Sequence, residues 1–517
     1  MADWEALNRT NEPNGLLQPD QYGILMSVTL PIGSLDPSSG FPLYRQLYTS
    51  LRQLIAAGTI EAGGRLPATR ELAGQLGLNR ATILAAYELL EADGLIAGHV
   101  GRGSFVVGAA PRNAGIDWRE LLGPAPALAP SPAAAPLASF SSSRPSELLF
   151  PLDEFRATCD EVIASGEAPN ILQLGSPAGY PPLRRFLLEQ ARAEGAARDT
   201  DDILITSGCQ QAFTLLQNLL VRNGETVLLE DPVYPGMRNV FERSGARLVG
   251  VTVNDTGLDV EALARSAERA NPRLLAVTSN FQNPTGATLP LESRRTLLQI
   301  AQAAGVIVVE NDIYGALVYE GEPLPSLKQL DESGDTILLR SFSKIAFPGL
   351  RVGWVIGPRP LIEKLIEAKQ CSDLHTDQLS QAILLRFAQS GRLERHRQHM
   401  LAAGRERLHA ALDACRRYLP SSVEYTRPRG GMSMWLRLPA PLDAGELLPR
   451  AEREGVTYIP GKYFAVSRPD ARALRLSFAG MAPEQIRSGI AVLGRIFKNE
   501  LERVRAYSPL AEAPAMV

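Results

Sequence analysis

The sequence predicts two folded units of different class: a small three-helix module closed by a β-hairpin, then a large α/β domain on a mostly parallel sheet. Three observations carry this. Residues 124–138 read PAPALAPSPAAAPLA, twelve Ala or Pro in fifteen with no charge. Recurring proline stiffens such a stretch and excludes a core helix, so it is an extended spacer. Ahead of it the periodicity reads helix, helix, tight turn, helix and two short strands. Behind it, short apolar runs alternate with amphipathic stretches, the pattern of a parallel sheet covered by helices on both faces. The expected boundaries are an arm over 1–40, the module over 41–108, a linker over 109–140 and the α/β domain over 141–517.

Composition narrows the class. The 517 residues are 45% hydrophobic and 21% charged, an ordinary globular mix too long for one core. A net charge of −3 excludes a protein that grips polyanions by bulk charge. No apolar run is of membrane-spanning length, and Met1-Ala2-Asp3-Trp4-Glu5 does not open a secretory leader. Cys159, Cys209, Cys371 and Cys415 form no CxxC pair, which argues against a disulfide framework or a zinc site and fits a cytoplasmic protein.

Within the module, Leu43, Leu47, Leu51 and Leu54 recur at helical steps over Pro42–Ala57. A second helix spans Thr69–Leu76, with Thr69 as its cap and Leu72 and Leu76 turned inward. After the turn Gly77–Arg80 a third helix, Ala81–Asp93, buries Ile83, Tyr87 and Leu90. Strands Leu95–Ala97 and Ser104–Val107 enclose the glycine-rich tip 98–103. This is the order of a winged helix-turn-helix. The run LPATRELAGQLGLNRATILAAYELLEADGLI, followed by GRGSFV, resembles the GntR-type winged helix over about 65 residues. That resemblance places Arg70 and Arg80 at phosphate and groove contacts and Arg102 on the wing, so the implied partner is double-stranded operator DNA. Residues 42–108 hold six Arg and no Lys against five acids, so binding should need two copies acting together.

In the large domain the strand-like runs are Ile203–Thr206, Thr226–Leu229, Leu274–Thr278, Val306–Val309 and Thr336–Leu339, with helices such as Ala212–Val221 and Leu291–Ala304 between them. Ligands on such sheets bind beyond the carboxyl ends of the strands, and five motifs fall there. Ser341-Phe342-Ser343-Lys344 could hold an aldehyde cofactor as a Schiff base, with the hydroxyls and Arg351 on a phosphate. Asp312 and Tyr314, two apart in an extended chain, would share a face, the carboxylate for a pyridine nitrogen and the phenol for its ring oxygen. Asn283, in Phe281–Gly286, could bond the same oxygen. Ser207-Gly208-Cys209 opens a helix and could cradle phosphate. Tyr234, in Asp231–Gly236, could stack on a planar ring. Taken singly, each has an ordinary explanation as a surface lysine, a strand-end turn or an Asn-Pro turn.

Together and in this order, the motifs resemble fold-type I pyridoxal-phosphate enzymes of the aminotransferase family over roughly residues 165–485. The resemblance implies that Lys344 carries the cofactor, Asp312 pairs with the pyridinium, and Tyr314 and Asn283 contact the phenolic oxygen. Tyr234 would stack on the ring, while Ser207, Gly208, Cys209, Ser341, Ser343 and Arg351 surround the phosphate. Arg475 matches the family's substrate-carboxylate arginine, where a bidentate guanidinium suits the task. One departure stands out: Leu174 occupies the region where relatives commonly place a tyrosine that reaches the partner subunit's phosphate. A winged helix joined by a linker to such a domain resembles the MocR type of GntR-family regulators. This implies a homodimer that senses pyridoxal phosphate or an amino-compound effector. The competing expectation is a working amino-acid aminotransferase with an accessory winged helix.

Overall fold

The computed structural model describes residues 30–32, 35–37, 42–99, 103–107, 118 and 136–507. The chain divides into two units, Met1–Pro130 and Ser131–Val517. Residues 1–29 of the expected arm, spacer residues 124–135 and Arg102 lie outside the described residues.

The first unit contains α1 (Leu43–Ala56), α2 (Thr69–Leu76), α3 (Arg80–Ala92) and an antiparallel hairpin of β1 (Ile96–His99) and β2 (Gly103–Val106). Its core is the predicted leucine ladder, with Leu47, Leu51, Leu72, Ile83 and Leu90 fully buried. Gly77 ends α2 at φ +64°, a left-handed conformation that glycine adopts without steric cost. Thr69 is not the cap of α2. The chain enters extended through Ala68, Thr69 is already helical, and its hydroxyl instead accepts from Arg80 Nε at 3.3 Å. The side-chain cap is one helix later, where Asn79 Oδ1 accepts from Ala81 N at 3.1 Å and starts α3 at Arg80.

The second unit starts with β3 (Ala138–Ser139). Its large sheet uses β4 (Asp201–Thr206), β5 (Thr226–Asp231), β6 (Arg247–Asn254), β7 (Gly257–Leu258), β8 (Leu274–Val277), β9 (Ile307–Asn311), β10 (Ile337–Ser341) and β11 (Gly353–Pro358). The order is β4-β11-β10-β9-β8-β5-β6-β7. Strands β10, β9, β8, β5 and β6 run parallel in succession, as the alternating pattern predicts. The edge strand β7 runs antiparallel to β6, and β11 is antiparallel to both its neighbours. Strand β11 follows β10 after residues 342–352 only, too short for a helical crossover. Helices cover both faces, so Leu204, Leu228, Leu274 and Leu339 are wholly buried.

A smaller sheet joins β12 (Glu424–Tyr425), β13 (Ser433–Arg437), β15 (Ile459–Pro460) and β16 (Ala473–Ser477), packed with helices Arg392–Tyr418 and Pro483–Tyr507. At the end of the expected linker, β3 pairs in parallel with β14 (Val456–Thr457). The chain leaving β3 thereby enters the cleft between the two sheets, where Ser141 and Ser143 meet the motifs.

Candidate functional site

The site forms where β4, β5, β8, β9 and β10 end. At the end of β4, Gly208 (φ +80°) turns the chain into α4 (Cys209–Leu220). An added Cβ there would lie 2.4 Å from Arg351 Nη2, so glycine lets the guanidinium close on the helix start. Arg351 is itself left-handed (φ +56°) and donates to Ser343 Oγ at 3.3 Å and to the Ser207 carbonyl at 3.4 Å. Ser343 N and Ser341 Oγ lie 3.0 Å apart, and the two hydroxyls 2.8 Å, which fixes the loop that carries Lys344. Cys209 is half-buried, and burial pushes its thiol up to about 12, so it is a neutral packing group beside the cradle.

Not every predicted cradle amide is open. Ser207 N donates to Gln211 Oε1 at 2.8 Å and Gly208 N to the Thr206 carbonyl at 2.8 Å. The amides that no helix carbonyl can reach are those of the first turn, Cys209 and Gln210. A phosphate would meet these two amides, the two hydroxyls and Arg351.

Asp312 follows β9 and is buried. The extended run stops at Asn311, so Asp312 and Tyr314 do not share a face by strand alternation. The chain bends instead, and Gly315 packs where a Cβ would lie 2.3 Å from Asp312 Oδ1. Both residues nevertheless reach the cleft, with Lys344 Nζ 5.7 Å from the Tyr314 ring centroid. Each Asp312 oxygen has one donor: Asn280 Nδ2 at 2.9 Å and Arg340 Nε at 3.1 Å. Behind them, buried Arg294 donates to Asn280 Oδ1 at 2.6 Å, and Arg340 pairs with Glu194 at 2.7 Å. A carboxylate held this way is fixed in orientation, as a partner for a pyridinium must be. The sequence reading missed Asn280, Arg294 and Arg340, since nothing local marks them and only the fold brings them to Asp312.

Asn283 and Arg475 meet across the two sheets, with Arg475 Nη1 donating to Asn283 Oδ1 at 3.2 Å. Arg475 is 4% exposed, stacks on Phe464 at 5.2 Å, and has a buried Nε with no partner. Burial lowers its pKa to about 10. A desolvated cation with an unused donor fits an incoming carboxylate. Tyr234, 41% exposed, caps helix Pro235–Arg243, and its ring lies over Gly236, where a Cβ would approach it to 2.4 Å. Two further contacts come from the segment after β3. Lys344 Nζ donates to the Ser143 carbonyl at 2.7 Å, and Arg475 Nη2 donates to the Ser141 carbonyl.

The first unit presents Arg70 at the start of α2 and Arg80 at the start of α3, both exposed. Arg65, which the sequence reading passed over, packs its guanidinium against the root of the wing at Gly103, where a Cβ would lie 3.0 Å from its Nε.

Two families match. Residues 43–106 match the bacterial regulatory proteins of the gntR family, and residues 146–493 match aminotransferase class I and II. A 2-aminoadipate transaminase from Thermus thermophilus is 39% identical over 373 residues, 71% of this chain and 91% of its own length. A Pyrococcus horikoshii kynurenine aminotransferase, solved in complex with PMP, superposes with a TM-score of 0.69 at 33% identity, covering 71% of this chain and 92% of its own. These two similarities stop short of the whole. The probable rhizopine catabolism regulatory protein MocR from Rhizobium meliloti is 30% identical over 477 residues, 90% of this chain and 95% of its own length. The chain belongs to the MocR-type regulators, a GntR module fused to an aminotransferase domain. The regulator's cofactor is pyridoxal phosphate, and the cradle, the doubly hydrogen-bonded Asp312 carboxylate and the lysine just after β10 fit that group. Its GntR module is a DNA-binding one. Among the described residues no helix is long and apolar enough to cross a membrane.

Proposed function

We propose that this regulator is a cytoplasmic homodimer that binds double-stranded operator DNA and changes its affinity when an amino compound bearing a carboxylate occupies the pyridoxal-phosphate site. The domain roles follow the boundaries at 41–108, 109–140 and 141–517. When bound, the cofactor supplies an aldehyde that a primary amine can take over from Lys344. Asp312 holds the proton on the ring nitrogen, and Asn283 and Tyr314 flank the ring oxygen. Tyr234 covers the ring, and Ser341, Ser343, Arg351 and the α4 amides of Cys209 and Gln210, presented by the turn at Ser207 and Gly208, hold the phosphate. Arg475 takes the effector carboxylate.

One observation carries the regulator reading. The lysine and the arginine that an amino-acid effector would engage both donate to carbonyls of one short segment, Ser143 and Ser141, which follows directly on the linker. A ligand that claims either donor competes with the segment that follows the linker and β3. To regulate, it must bind the two states unequally, and a tenfold preference is about 1.4 kcal/mol of coupling. A dimer is supported by exposed apolar side chains on the second unit: Leu148 is 86% exposed and Leu174, in the region of the family tyrosine, is 75% exposed.

The test is fluorescence anisotropy on the chain's own upstream DNA against a scrambled duplex at fixed salt, with a panel of amino acids. Specific binding that shifts with one amino compound supports the reading. Absence of preference, together with steady keto-acid-dependent turnover, would make this an aminotransferase with an accessory winged helix.

A further inference from the structure

The outward face of α3 is poor in hydrogen-bonding groups. Its inward face holds Ile83, Ala86, Tyr87 and Leu90, all buried. Outward stand Arg80, Ala81, Leu84 and Glu88, with Arg80, Leu84 and Glu88 one turn apart. Leu84 is 49% exposed and belongs neither to the module's core nor to the partly buried residues around it. Half-exposing a leucine in the middle of a short helix forgoes burial, and no packing among the described residues of its module accounts for it.

The neighbours say what covers it. Asn79 caps α3 and the Thr69 hydroxyl holds Arg80 Nε at 3.3 Å, so the start of the helix is fixed and carries its one outward cation. Glu88 and Glu91 would be repelled by phosphates, and Glu91 is already engaged with Gly98 N at 3.1 Å. Only the first two turns can therefore lie deep in a major groove. There, Arg80 is suited to guanine O6 and N7, while Ala81 and Leu84 have no hydrogen bond to offer. The one feature of a major-groove edge that an aliphatic side chain recognises is the thymine 5-methyl.

We propose that Leu84, assisted by Ala81, is a specificity-determining residue that reads thymine methyl groups in each operator half-site, next to a guanine taken by Arg80. This rests on the DNA-binding half of the function above. With six Arg against five acids over residues 42–108, attraction to phosphate is weak and base contacts must contribute a larger share of the specific affinity.

The experiment selects bound duplexes from a random library with the full-length chain. It then replaces each thymine of the selected half-site in turn by deoxyuridine, which removes only the methyl. Affinity is measured at fixed salt for the wild type and Leu84→Ala, a substitution on an exposed helical face that raises helix propensity. The expected result is a loss of about three- to tenfold for the wild type at one or two positions per half-site, in the range of a single apolar base contact. Leu84→Ala loses a similar factor on normal DNA and shows no further loss at those positions, the non-additivity of groups in contact. Deoxyuridine that leaves the wild type unaffected everywhere would overturn the proposal, as would equal losses for both proteins. A library that yields no sequence preference would overturn it together with the regulator reading, whereas a selected site insensitive to the methyl leaves that reading intact.

Discussion

Glu230 and Arg475 show how the large unit accepts unfavourable charge near its site. Glu230 is buried at the end of β5, with Oε2 accepting from Thr278 N at 3.1 Å and Oε1 without a partner. Burial pushes its carboxyl up to about 8. A carboxyl raised in the folded state binds its proton more tightly there than in the unfolded chain. Its contribution to stability is full at low pH and is lost as pH rises toward and through 8. Glu230→Gln should therefore raise Tm little at pH 5 and progressively more toward pH 9. A thermal series with a pH-independent gain would refute this. Arg475 has the opposite charge and the same problem, with its Nε unpartnered and burial lowering its pKa to about 10. Replacing a poorly paired buried cation by an apolar side chain of similar length is often neutral or stabilising. Arg475→Met should leave the ligand-free Tm unchanged or higher while abolishing the response of operator binding to an amino acid. A drop in Tm would mean that the arginine holds the fold rather than the ligand.

At the scale of elements, the cradle depends on how closely β11 approaches the start of α4. A Cβ on Gly353 would lie 2.9 Å from the Gly208 Cα, a backbone contact that no rotamer change relieves. Gly353→Ala should cost about 1–3 kcal/mol, as overpacking does, and should weaken pyridoxal-phosphate affinity as well, because Gly208 and Arg351 shift together. A calorimetric scan and a cofactor titration read the two effects separately, and a variant unchanged in both would show that the strand can move away freely. The same element logic explains what was legible. Strands β4, β5, β8, β9 and β10 were readable because both faces are covered and the runs are apolar throughout. Strand β11 was not, since an antiparallel return after a short loop has no periodic mark of its own. The cap of α2 was misplaced because a threonine at a helix start reads alike whether it bonds its own helix or, as here, Arg80.

For the whole molecule, the exposed leucines of the second unit test the proposed assembly. Leu148 and Leu174 are 86% and 75% exposed, and Leu152 is 60% exposed. A charge at such positions penalises an apolar interface while leaving a monomer's core untouched. The pair Leu148→Asp and Leu174→Asp should convert a dimer to monomer in sedimentation and weaken operator binding far more than it changes the cofactor spectrum. A dimer that survives both substitutions would place the interface elsewhere.

Local patterning along the chain suffices for the two units, the class of each and the motif residues that the fold gathers at the strand ends. Those depend on local periodicity, on the spacing of turn residues, and on motifs that sit a few residues after each strand. Tertiary structure decided what holds those groups. Asp312 is oriented by Asn280 and Arg340, which lie 32 and 28 residues away, and Arg475 meets Asn283 from 192 residues away. Ser141 and Ser143, at the start of the domain and outside every motif, reach Arg475 and Lys344 of the cleft. Hydrogen bonds and desolvation act through space, and a chain reveals them only once its strands are in order.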